Sequence, residues 1–207
     1  MQDWGELDFA GVLDWLGANN PGLPLLCVGH SAGGQVVGLA DNASRLAGFL
    51  GVACQSGYWR HWEPKYWPRL LALWYLVLPL GSRLLGQVPG ALTGGEPLPG
   101  GIARQWASWC RNSAYICDAG GAPWRPHFAE LKCPALFYAV ADDGATAPQR
   151  AVEALAAFYS GSAVGVETLD PRALGLSSLG HFGFFRRGKT APLWQRSADW
   201  LLARTGA

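Results

Sequence analysis

The stretch Leu23–Gly34, LPLLCVGHSAGG, constrains this chain more than any other. Four apolar residues suited to a buried strand, Leu25, Leu26, Cys27 and Val28, run into Gly29. His30, Ser31, Ala32 and Gly33 then complete a G-x-S-x-G pattern, and the residues to about Ala40 predict a helix. A strand that stops on glycine and restarts at once as a helix must turn sharply, so Ser31 is predicted to project its hydroxyl above the end of a parallel sheet. Gly29 and Gly33 fit that turn, because β-carbons would crowd where the strand and helix backbones meet. Short motifs arise by accident in glycine-rich chains, and 28 residues here are glycine, so the remaining sequence has to supply partners for Ser31.

Upstream, Phe9, Val12, Leu13 and Leu16 recur at helical spacing over residues 7–16, and Asn19, Asn20, Pro21 and Gly22 stop the helix. Leu46–Cys54 predicts the next strand, which gives a strand, helix, strand unit with a right-handed crossover and a parallel sheet. Alternation resumes at Cys133. Ala135–Val140 predicts a strand with Asp142 and Asp143 at its C-terminal end, Pro148 opens a helix to about Tyr159, and Val164–Leu169 predicts another strand. A loop then carries His181 in LGHFGFF, and Leu193–Leu202 closes the chain as a helix with Trp194, Ala198 and Leu201 on one face.

Between these halves the character changes. Seven of the eleven tryptophans fall from Gln55 to Trp124, among prolines and glycines and without strand and helix alternation. The longest apolar run, Leu70–Leu80, is about half of what a membrane span needs and contains Pro79, so it predicts a buried or interfacial helix and no membrane crossing. The expectation is an α/β fold in one domain, with a mostly parallel sheet built from residues 1–54 and 126–207 and a tryptophan-rich helical lid inserted over about 55–125.

Composition excludes several classes. Half of the residues are hydrophobic and the net charge is +1, which rules out a disordered chain and predicts no nucleic-acid partner. Cys27, Cys54, Cys110, Cys117 and Cys133 are odd in number and lack C-x-x-C spacing, which reads as free thiols in a reducing, cytoplasmic setting. No glycine-rich phosphate loop follows a strand, and neither H-E-x-x-H nor clustered ligands occur, so neither a cofactor nor a metal is expected.

Open parallel sheets gather reactive groups at the carboxyl ends of their strands. Three candidates lie there in chain order: Ser31, then Asp142 or Asp143, then His181. Taken singly, an aspartate after a strand is commonly a turn former and a histidine a polar tip. Together they have the order of nucleophile, acid and base, and a serine hydroxyl needs such a base within hydrogen-bond reach.

The segments DWGELDFAGVLDWL, GHSAGG, SGYWRHW, ADDGATAP and LGHFGFFR resemble the α/β-hydrolase superfamily, in particular a bacterial group akin to the serine aminopeptidase-like hydrolases. The resemblance implies Ser31 as nucleophile and His181 as base. It favours Asp143 over Asp142 as the acid, because that residue precedes a proline that opens the next helix. It also implies the backbone N–H of Ala32 as an oxyanion donor, and His30 packed beneath the turn. His61 and His127 read as structural or solvated. The implied activity is cleavage of a carboxylic ester, thioester or amide through an acyl-enzyme, on a small molecule with an apolar group that suits the tryptophan-rich lid. One departure stands out: members of this fold carry several strands before the helix at which this chain begins. The expectation is therefore an N-terminally truncated chain, with its second oxyanion donor upstream of Met1 and the Leu25–Val28 strand left as a sheet edge open to self-association. The alternative reading is an inactive or ligand-binding remnant of such a hydrolase.

Overall fold

Four apolar stretches form strands: β1 (Leu25–His30), β2 (Leu46–Val52), β3 (Ala135–Val140) and β4 (Val164–Leu169). They pair in parallel in the order β1-β2-β3-β4, so β1 and β4 are the sheet edges. The computed structural model describes residues 1–93, 95–188 and 190–205. These divide into two units: Gln2–Gln55 with the described residues from Arg125 onward, and Ser56–Trp124 with Met1.

Side chains alternate across the sheet, as the two-residue strand period requires. Leu50, Val52, Tyr138, Val140 and Leu169 share one face and form a core with Leu179, Phe184, Leu193 and Leu201. On the other face the Phe49 ring meets those of Phe137 and Tyr159 edge-on or tilted at 5.3 and 5.4 Å, and Phe128 packs on Tyr159 at 4.9 Å. Burying each such ring contributes about 1.5–3 kcal/mol. β1 is less covered than the central strands. Val28 is 49% exposed and only Gly29 is buried, because an edge strand has a neighbour on one side only.

Helix α1 (Ala10–Asn19) follows a π-helical entry at Trp4–Phe9 and buries Ala10 and Leu13, but leaves Val12 and Trp15 exposed. The inward face is thus narrower than the sequence spacing implied. Helix α2 (Gln149–Ala156) turns Val152 and Leu155 inward. Helix α3 (Ala191–Leu202) buries Leu193, Ser197 and Leu201, one turn apart, so its inner face is offset from the expected set and Ala198 is exposed. Ser197 is tolerated there because its hydroxyl donates to the Leu193 carbonyl at 2.7 Å.

The segment after Ser31 departs most from expectation. In place of a helix to Ala40 there are two 3₁₀ turns, Ser31–Gly34 and Val37–Leu39. Gly33, Gly34 and Gly38 are poor helix formers, and two of them are required by close packing. A β-carbon would meet Cys54 Sγ at 2.3 Å from Gly34 and the Phe128 ring at 2.4 Å from Gly38.

The unit Ser56–Trp124 is mainly helical. Residues 67–85 run continuously through Trp67–Ala72, a π turn at Leu73–Val77, and Leu78–Leu85, ending at Gly86 in the left-handed region, φ 70°. A second helix, Gly100–Arg111, sets Trp106 against Trp74 at 5.1 Å. Contrary to expectation the unit also contains strand pairing, a two-residue antiparallel ladder of Gln87–Val88 with Leu98–Pro99.

Candidate active site

β1 ends at His30, and Ser31 takes φ 51°, a left-handed conformation uncommon outside glycine. His30 lies opposite Val52 in the parallel register, and Ala53, just after β2, also has φ 50°. Two neighbouring strands thus end in strained, non-glycine residues, each at a cost of about 1–2 kcal/mol that the surrounding packing must offset.

That packing can be named. A β-carbon on Gly29 would lie 2.9 Å from the Gly34 backbone, so this glycine is required where the strand and the turn cross. Gly33, expected to be the second crowded position, has nothing within 4 Å of its would-be β-carbon; Gly34 takes that role against Cys54. The Tyr159 hydroxyl donates to the Gly34 carbonyl at 2.8 Å, and Gln35 Nε2 donates to the Gln55 carbonyl at 2.8 Å. The Cys54 thiol donates to the Gly29 carbonyl at 3.3 Å, and burial pushes its pKa up to about 12, so it packs as a neutral group. All five cysteines are free thiols.

His181 lies on the loop after β4. Its Nδ1–H donates to Asp143 Oδ2 at 2.6 Å, with the two side chains only 9% and 4% exposed. In the neutral imidazole this bond leaves Nε2 with its lone pair free to accept a proton. Asp142, the next residue back, does something else. Its carboxylate accepts the Leu179 N–H at 2.9 Å and the Gly180 N–H at 2.8 Å, and so clamps the backbone just before His181. Gly180 suits this bend, with φ 57°.

His30 completes the cluster. Its Nε2–H donates to the His181 carbonyl at 2.8 Å, and its ring stands 4.8 Å from the His181 ring, with Phe182 and Phe185 at 5.3 and 5.0 Å. Burial, outweighing the bond to the His181 carbonyl, holds the His30 pKa below its ordinary value and keeps the ring neutral. Ser31 is covalently joined to this residue and is partly exposed, as is Ala32. Among the described residues no hydrogen bond joins Ser31 Oγ to His181. His127 is elsewhere, bonded to Glu130 at 2.8 Å, and His61 packs on Tyr58 in the other unit.

No family model and no curated protein matches the chain. Solved structures do. A monoacylglycerol lipase from Paleococcus ferrophilus matches over 95% of this chain and 75% of its own, at 13% identity and a TM-score of 0.54. A soluble variant of the monoglyceride lipase from Saccharomyces cerevisiae, solved with a substrate analogue, matches over 97% and 69%, at 11% identity and 0.59. The esterase domain of a Rhodothermus marinus protein matches over 97% and 68%, at 15% and 0.52. The chain has the α/β-hydrolase fold.

Within that α/β-hydrolase fold Ser31 and Asp143 stand just past the carboxyl ends of β1 and β3, and His181 follows β4. Sequence reasoning found these positions but missed the groups that hold them. In the sequence Asp142 reads only as a rival to Asp143, although a pair of carboxylates after a strand offers one group to each of two neighbours. Tyr159, Gln35 and Cys54 had no local signal, because their partners lie 125, 20 and 25 residues away in sequence. Among the described residues no cluster of three or more His, Cys, Asp or Glu could hold a metal, and no helix is long and apolar enough to cross a membrane.

Proposed function

We propose that this chain is a serine hydrolase that cleaves a carboxylic ester through an acyl-enzyme. Ser31 Oγ attacks the carbonyl carbon while His181 Nε2 takes its proton. The Asp143 carboxylate fixes the Nδ1–H tautomer and stabilises the imidazolium as it forms. Negative charge collects on the carbonyl oxygen, to which Ala32, the residue after the nucleophile, offers its backbone N–H. The carbon–oxygen bond then breaks and His181 returns the proton to the leaving alcohol. Water, deprotonated by the same imidazole, releases the acid and restores Ser31. A thioester or amide would follow the same route.

The observation that carries this reading is the nearly buried 2.6 Å bond from His181 to Asp143, on a loop whose carbonyl is held by the residue preceding Ser31. The lipases and the esterase domain of like fold support an ester as substrate. The tryptophan content of residues 55–124 supports an apolar acyl or aromatic group. A fluorophosphonate probe should label the wild type and leave Ser31→Ala unlabelled, whereas equal labelling of both would remove Ser31 as nucleophile. With p-nitrophenyl esters, His181→Ala should lower kcat by roughly 10,000-fold or more while the cooperative melt is kept.

A further inference from the structure

The helical run 67–85 has two apolar sides. Leu70, Trp74, Leu78 and Ser82 recur every fourth residue and are buried within the fold. On the opposite side Leu76, Leu80 and Leu84 are 57%, 52% and 78% exposed. A helix apolar on both sides has an outer face that water serves poorly. The charges on that face have one sign. Arg69 and Arg83 are exposed, one seven residues before Leu76 and the other seven after it, so the two arginines flank Leu76 and Leu80, and Leu84 lies directly beyond Arg83. Residues 64–95 contain no aspartate or glutamate, and among the described residues neither arginine pairs with a carboxylate. At the rim, Tyr75 is half exposed and carries the Arg111 guanidinium 5.2 Å from its ring centroid.

We propose that this face docks on an anionic lipid surface, with the helix lying in the plane of the interface, Leu76, Leu80 and Leu84 at the acyl boundary and Arg69 and Arg83 reaching headgroup phosphates. Leucines beside long cationic side chains match that boundary, since an arginine stem lies along apolar surface while its head stays with the phosphates. A second copy fits worse. In a two-fold contact across this face Arg69 and Arg83 of one copy would oppose those of the other, with no carboxylate on the segment to separate them. A crossing is excluded for this helix, which is too short and carries Pro79. The proposal stands apart from the chemistry proposed for Ser31.

The test is co-sedimentation of the full chain with vesicles of phosphatidylcholine containing phosphatidylglycerol, against vesicles of phosphatidylcholine alone, at low and high salt. Binding is expected to the anionic vesicles, weakened by salt. Each of Arg69→Gln and Arg83→Gln should weaken it about five-fold. The double variant Leu76→Ser with Leu80→Ser should abolish it, while melting and esterase turnover in solution stay unchanged because both leucines are exposed. Equal binding to neutral and anionic vesicles would overturn the proposal. So would leucine variants that bind like the wild type, or a concentration-dependent dimer in light scattering that these variants disperse.

Discussion

The loop that carries Ser31 and the loop that carries His181 meet at His30, yet they are held by opposite means. The Ser31 turn is fixed by missing volume. Gly29, Gly34 and Gly38 leave room that the Gly34 backbone, Cys54 and Phe128 occupy, and the buried Tyr159 hydroxyl takes the Gly34 carbonyl. The His181 loop is fixed by polar bonds. An exposed carboxylate, Asp142, accepts two amides, Asp143 holds the ring, His30 holds the carbonyl, and Leu179 anchors the chain in the core. A serine set by packing keeps its place whatever the charge state around it. A histidine set by hydrogen bonds can be adjusted by one atom at a time, and it is correspondingly easier to displace.

The largest expected effect on stability lies on the packed side. Gly34→Ala forces a β-carbon to within 2.3 Å of Cys54 Sγ and should cost about 1–3 kcal/mol in urea unfolding. Adding Cys54→Ala removes the sulfur and should restore part of that loss. Gly33→Ala, the other glycine of the pair, should stay within about 0.5 kcal/mol of wild type. If Gly33→Ala costs as much as Gly34→Ala, the volume argument for this turn fails.

Next comes the polar side. Asp142→Ala removes two bonds to a charged acceptor and should cost about 1–2 kcal/mol, at the low end because the carboxylate is exposed. Its sharper signature is kinetic: a looser His181 should lower kcat with little change in KM. Asp142→Asn should fall between, since its amide keeps one acceptor oxygen but points a donor at the second N–H. Asp143→Asn, which alters the tautomer instead of the backbone, should lower kcat by about 10,000-fold. Equal losses for the two asparagine variants would dissolve the distinction between clamp and ring partner.

A smaller effect tests strain at the junction. Ser31→Ala and Ser31→Gly both remove the hydroxyl, but only glycine is at ease at φ 51°. Ser31→Gly should be the more stable of the two by about 1 kcal/mol by chemical denaturation. The reverse order would mean that the turn is not strained at this residue.

The same division between packing and polar bonds explains what could be read in the sequence. Ala135–Val140 and Val164–Leu169 were legible to the residue, because a short apolar or β-branched run between turn formers has few other fates. The turn at Ser31 was legible as a motif, but not the shift of its crowded glycine from Gly33 to Gly34, which depends on Cys54 from the neighbouring segment. The 3₁₀ turns after Ser31 and the offset inner face of α3 share that cause, since both are decided by what packs opposite. The preference for Asp143 over Asp142 rests on the family resemblance and the proline that opens the next helix, while the separate bonds of the two carboxylates have no local signal, because both follow the same strand and their partners, Leu179 to His181, lie 37 and 38 residues on.

The smallest expected effect belongs to His30, where the two loops join. Its pKa is held below the ordinary 6.5, chiefly by burial, so below that pH the unfolded chain takes up a proton that the folded chain refuses. More protons bound in the unfolded state mean that stability rises with pH. The His30 contribution is therefore complete above about pH 6.5 and is lost as the pH falls from there toward the depressed folded value. His30→Gln retains an N–H to donate to the His181 carbonyl but cannot titrate. Its melting temperature should fall less than that of the wild type between neutral and mildly acidic pH, with the two curves parallel above neutrality. Identical acid slopes would mean that the imidazole is not buried as a neutral donor. The bond between the loops would then be as open to adjustment as the exposed Asp142 clamp, with nothing in its burial to set it apart from the other polar bonds.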